Sequence, residues 1–221
     1  MKTFVEQSVV SNSMSTFARA VCHSVGRPVS DLPSITKFAE EGFNRVLQAT
    51  FSDGYSVIAR IPYNTTVPKG LTVASEAASF GLLRSYSVPV PRMLGYSQNH
   101  DNPVGAAYLL LEKLDGVPLS DQWFSMGNKN RVKTMKQIVD IEKRFIPIVF
   151  PASGSIYYRK DLDSSQFAIP LPGQSEVSSS DQLVVGPTAQ HAWWYKERAL
   201  LAIDRCPWDS FSTCLGSTRK T

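Results

Sequence analysis

Residues 40–60 read EEGFNRVLQATFSDGYSVIAR, and this stretch decides the fold. A turn containing Gly42 separates two runs of strand character, at 34–40 and 45–50. A second turn, Ser52-Asp53-Gly54, leads into a third run at 55–61, rich in β-branched residues and carrying Arg60 near its end. Asp and Gly both tolerate positive φ, so Asp53-Gly54 between such runs is a strong hairpin signal. Pro62, which cannot donate to a ladder, is expected to stop the third strand.

Outward from this meander, apolar residues at Met14, Phe17, Ala18, Val21, Cys22 and Val25 follow helical spacing and end at Gly26 and Pro28. The spacing predicts a second helix over 72–84, with Val73, Ala77 and Phe80 on its inner face. Candidate strands follow at 92–96 and 106–112, the latter an apolar run suited to a buried strand. Asn102-Pro103 marks the turn between them, so His100-Asp101-Asn102 is expected at the surface. Beyond Lys113-Leu114-Asp115-Gly116 come a helix over 130–146, with Val132, Met135, Val139 and Ile146 in one seam, and a strand at 155–158. An exposed loop is expected over 163–182 and a helix over 193–203. Trp193-Trp194-Tyr195 reads either as a ligand platform or as cover for a core.

The composition sets limits. The 221 residues are 43% hydrophobic and 19% charged, with net charge +4, as in a soluble globular protein. The cations are scattered, so nucleic acid is not an expected partner. Three cysteines without a C-x-x-C pair argue against a disulfide framework or zinc site and fit a reducing compartment. No run of 18 apolar residues occurs, so no membrane span is expected. Residues 1–30 are Ser-rich, with Lys2, Arg19 and Arg27 against Glu6 as the one acid before Asp31. That pattern suits a mitochondrial targeting segment or an ordinary amphipathic helix.

Phosphoryl transfer depends on positioned charge more than on covalent chemistry. A kinase-like lobe supplies a glycine turn near the phosphates, a cation on the third strand and a helix carboxylate that holds the cation. Gly42, Arg60 and Glu76 occur in that order and at fitting spacing. EEGFNRV (40–46), ARIPY (59–63), VASEAASFGLLR (73–84), VPVPRMLGYS (88–97), DNPVGAAYLLLEKLDG (101–116) and LSDQW (119–123) form an ordered series. FPASGSIYYRKDL (150–162), VGPTAQHAWWY (185–195) and DRCPW (204–208) extend it.

This series resembles the fungal phosphotransferases related to aminoglycoside phosphotransferases, a family that includes altered inheritance of mitochondria protein 9. The resemblance implies an α+β, protein-kinase-like fold. Residues 31–114 would be a five-stranded antiparallel N lobe with one inserted helix, and 115–221 an incomplete, mainly helical C lobe. Residues 1–30 would be a first helix or targeting segment, with mitochondrial residence implied and a cytoplasmic location otherwise expected. It further implies ATP as the bound nucleotide, with Gly42, Phe43 and Asn44 at the phosphates, Arg60 gripping them and Glu76 holding Arg60. Glu112 to Leu114 would form the hinge beside the adenine ring.

Two residues depart from the family pattern. Glu41 stands where E-G-G-F-N has a glycine, and a carboxylate turned inward would weaken ATP binding. Cys206 replaces the glycine of D-R-G-P-W and is expected to be a packing change. The family's His-x-Asp loop and metal-binding Asp have no counterpart in these residues. The expectation is therefore a C-terminally truncated phosphotransferase, inactive alone and without Mg²⁺ ligands, or else a non-catalytic pseudokinase module that binds nucleotide or a partner. The phosphate acceptor is not specified.

Overall fold

The two turns read from the sequence set up the first three strands. In the computed structural model, which describes residues 3–174 and 176–218, β1 (Ser34–Glu40), β2 (Asn44–Thr50) and β3 (Ser56–Pro62) run antiparallel. Gly54 has φ +88°, and its N–H donates to the Phe51 carbonyl at 2.9 Å. Asp53 Oδ1 accepts the Tyr55 N–H at 3.0 Å. This tight reversal sets Thr50 opposite Ser56 and so fixes the register. Pro62 is the last residue of β3 itself, a position where its missing N–H is tolerated.

α2 (Lys69–Ser85), β4 (Met93–Ser97) and β5 (Tyr108–Glu112) follow, and the sheet order is β1-β2-β3-β5-β4, antiparallel throughout. β5 is interior to the sheet. Leu109 and Leu111 face α2, where they meet Ala77, while Leu110 faces the other way. On that other face lies α1 (Thr3–Val25). Its Phe17, Val21 and Cys22 are buried with Ala49, Phe51, Val57, Ala59 and Leu110. Phe17, Val21 and Cys22, expected to belong to a first helix or a targeting segment, are therefore core. The more N-terminal part of that expectation rests on side chains outside the described ones.

α2 is buried on both sides, and its small residues explain how. Ala77 faces the five-stranded sheet, while Ala74 meets Tyr157, Leu162 and Val184, and Leu82 meets Leu171 and Val185. Those partners belong to a second, three-stranded sheet of β6 (Ser155–Tyr158), β7 (Ile169–Pro170) and β8 (Leu183–Gly186), in the order β6-β8-β7. Gly81 lies so close to β6 that a Cβ there would overlap the Tyr158 hydroxyl. The layers run α1, large sheet, α2, small sheet. The Tyr96 hydroxyl of β4 donates to Asp161 Oδ2 at 2.7 Å, tying the two sheets together. Burial raises the pKa of Asp161, against the hydrogen bond from Tyr96 and the charge of Lys160.

The part beyond residue 114 is less helical than expected. The segment 163–182, expected as an exposed loop, contains β7, and the Gln174 side chain bonds the Leu171 carbonyl and both backbone groups of Leu183. The helix expected over 193–203 is replaced by two short 3-10 turns, His191–Trp193 and Lys196–Leu200. Lys196 at φ +54° breaks the helical path. Arg205 takes carbonyls of Trp193, Arg198 and Leu201, and its guanidinium lies 4.4 Å from the Trp194 ring centre. Trp193 is buried against Trp208 at 4.9 Å, so the aromatic cluster covers a core. α3 (Leu119–Trp123), α4 (Asn128–Phe145) and α5 (Phe211–Thr218) complete the chain. α4 forms where its seam was expected, yet Val132, Met135, Val139 and Ile146 are 55, 47, 43 and 70% exposed.

Candidate functional site

The glycine turn is held from below by backbone bonds. The Glu41 N–H donates to the Asn44 carbonyl at 3.0 Å. The Phe43 carbonyl accepts the Tyr63 N–H at 3.0 Å and the hydroxyl of buried Thr66 at 2.6 Å. Gly42 does not have positive φ, and a Cβ there would meet nothing within 4 Å.

Arg60 stands opposite Val46 of β2 and Leu109 of β5, which places it on the α2 face of the sheet. Its guanidinium is shared. Nη1 donates to Glu76 of α2, and Nη2 donates to Glu41 Oε2 at 2.6 Å. Asn44 Nδ2 also donates to Glu41 Oε2, at 3.3 Å. Arg60 Nε is buried and has no hydrogen-bond partner among the described residues. The side chains of Arg60 and Glu76 are 24 and 25% exposed, and that of Glu41 is 43% exposed. The trio of one guanidinium and two carboxylates carries a net charge of −1.

Gly42, Asn44, Arg60 and Glu76 are thus brought together, and Glu41 joins them by turning inward. Phe43 points elsewhere. Its ring lies 5.2 Å from His191, which in turn lies 4.9 Å from Tyr195. His191 Nδ1–H donates to the Val67 carbonyl at 3.1 Å. The tip of the turn is therefore pinned to the segment after β8, a contact between residues so distant in sequence that no local pattern announces it. Glu112 ends β5, where its Oε1 accepts the Arg92 N–H at 2.7 Å and its own N–H donates to the Arg92 carbonyl at 2.9 Å. Leu114 follows as an exposed side chain at the expected link between the two parts.

Cys206 bears out the packing reading. Its Sγ–H donates to the Gly186 carbonyl at 3.1 Å, and burial pushes its pKa up to about 12, so no reactive thiolate forms at neutral pH. It adopts φ +83°, the conformation a glycine takes without strain.

No family model matches the chain. It is similar to a subtelomeric hrmA-associated cluster protein of Aspergillus fumigatus, 38% identical over 176 residues, which covers 79% of this chain and 33% of the relative. It is also similar to the proteins named altered inheritance of mitochondria protein 9, mitochondrial. The Candida dubliniensis protein is 25% identical over 194 residues, covering 81% of this chain and 31% of the relative. The Candida albicans protein is 25% identical over 191 residues, covering 80% and 31%. The chain spans about a third of the length of the curated relatives it matches.

Proposed function

We propose that this chain carries the nucleotide-holding lobe of an ATP-dependent phosphotransferase related to aminoglycoside phosphotransferases, and that it does not turn over alone. One observation carries the reading: Arg60 of β3 is held by Glu76 of α2 beside an open glycine turn. A strand cation clamped by a helix carboxylate is how kinase-like lobes aim positive charge at α and β phosphates. A planar guanidinium can engage two phosphate oxygens at once. The buried, unpaired Nε fits a site whose full set of partners includes a ligand, since an orphaned buried donor is otherwise unfavourable.

In this reading ATP, when bound, supplies the transferable phosphoryl group, and this chain's residues hold and orient it. The general base and the Mg²⁺ ligands would come from sequence outside this chain, consistent with its covering a third of its relatives. The exposed seam of α4 would pack against that further sequence. Mitochondrial residence rests on the names of the relatives from several yeasts.

A second reading is favoured by Glu41. Its carboxylate lies on the guanidinium edge a phosphate would use, so a non-catalytic module in which Glu41 stands in for phosphate fits the same geometry. Calorimetric titration with Mg²⁺-ATP, beside a phosphoryl-transfer assay, separates the readings. Weak binding lost in Arg60→Ala, without turnover, supports the first. No binding by the native chain favours the second, and turnover by this chain refutes the claim of inactivity.

A further inference from the structure

A separate cavity of about 310 Å³ lies at the corner where β2, β3, the start of α2 and the β4–β5 connection meet. Arg45 and Ile61 are cross-strand partners, and both line it. Alternation along β3 puts Ile61 on the face opposite Arg60, so this corner is not the nucleotide site.

Among the described residues, three basic side chains line the cavity, Arg45, Lys69 and His100, and no carboxylate does. None of the three is in an ion pair among the described residues. Glu40, which lies across from Arg45, is bound to Lys37 at 2.6 Å, and the Arg45 charge is only the smallest of the influences that lower its pKa. The corner is built in advance. Lys69 Nζ donates to Asn64 Oδ1 at 2.7 Å, and the Arg45 guanidinium sits 6.0 Å from the Tyr63 ring centre. His100 Nδ1–H donates to the Gly105 carbonyl at 3.1 Å, which leaves its Nε2 without that bond. Asn102 staples the connection that carries His100, with its Nδ2 on the Ser97 hydroxyl and the Asn99 and Ala106 carbonyls, and its Oδ1 on the Val104 and Gly105 N–H groups. Ile61 and Ala107 supply apolar wall.

Two cations, Arg45 and Lys69, against an apolar wall, in a cavity near the lower end of ligand-pocket size, suit a small anion with an apolar portion. We infer that this corner binds a small organic phosphate monoester, its dianion held by Arg45 and Lys69 and its carbon skeleton lying against Ile61 and Ala107. The inference does not depend on the nucleotide reading.

The test is calorimetric titration of the folded chain with phenyl phosphate, inorganic phosphate and phenol. Phenyl phosphate should bind more tightly than inorganic phosphate, and phenol should not bind. Arg45→Gln and Lys69→Gln should each weaken phenyl phosphate binding about tenfold, as for loss of one charge-assisted hydrogen bond. Arg60→Ala should leave it unchanged. Arg45→Gln, at an exposed position, remains an independent variant should Lys69→Gln lower the melting temperature. The inference is overturned if phenyl phosphate does not bind at millimolar concentration, if phenol binds equally well, or if only Arg60→Ala removes binding.

Discussion

Glu41 offers the sharpest handle on the nucleotide reading. In the native turn its carboxylate bonds Arg60 Nη2 at 2.6 Å, on the edge that a phosphate oxygen would occupy. A bound phosphate would therefore displace Glu41 or sit beside it. Two unit charges about 4 Å apart repel by about 4 kcal/mol at an effective dielectric of about 20. The Glu41 side chain is 43% exposed, so solvent screening reduces this several-fold. A residual of about 1.5 kcal/mol corresponds to roughly tenfold in dissociation constant. Glu41→Gln should thus tighten Mg²⁺-ATP binding about tenfold by removing the charge. Glu41→Gly should do at least as well by also clearing the side chain. The gain should shrink at high salt, where exposed charges are screened. Stability should change by less than about 1 kcal/mol, because a partly exposed ion pair contributes little. The assay is displacement of a fluorescent ATP analogue at low and high salt. Unchanged affinity in both variants, with Arg60→Ala still abolishing binding, would refute the electrostatic reasoning.

Other consequences follow from the packing. Gly81→Ala drives a methyl into the Tyr158 hydroxyl at the closest approach of α2 and β6 and should cost about 1–3 kcal/mol in urea unfolding. Adding Tyr158→Phe should recover part of that loss, and an unaltered midpoint for Gly81→Ala would show that α2 and β6 are not in close contact. Asp161 has a folded pKa raised above 3.8, so the folded state holds its proton more tightly than the unfolded one. Its contribution is present below pH 3.8 and is lost as pH rises through the folded value. Asp161→Asn should therefore stabilise the chain relative to native at pH 7 and lose that advantage near pH 3. An advantage that grows on acidification would reverse the assigned sign. Cys22 and Cys206 should resist alkylation at pH 8 until the chain unfolds, because both thiols are raised by burial. Rapid labelling of Cys206, read by mass spectrometry, would contradict its packing role.

The local chemistry of the first hundred residues was legible without a structure. Asp53-Gly54 had to turn because both residues accept positive φ, and the run ending at Glu112 had to be interior because it offers no polar face. The failures came where distant residues decide. The 193–203 segment has helical spacing, but Arg205 captures its carbonyls and Trp193 is drawn into a core with Trp208. The β7 pairing inside 163–182 is two residues long and depends on Gln174, so no periodic signal could reveal it.

The sequence by itself determined the meander, the strand that carries Arg60, the helix that carries Glu76, and hence the candidate ion pair. Those follow from turn residues and side-chain period, which act over a few positions. Tertiary structure alone decided the direction of Glu41, because whether a side chain meets solvent or a guanidinium depends on which strand lies opposite. It alone joined Phe43 to His191 and set Arg45, Lys69 and His100 around one cavity. It also gave α2 a sheet on each side, for which the alanines and Gly81 leave room but which they cannot specify. Contacts between segments far apart in sequence are fixed by global packing, and a local pattern carries no record of its partner.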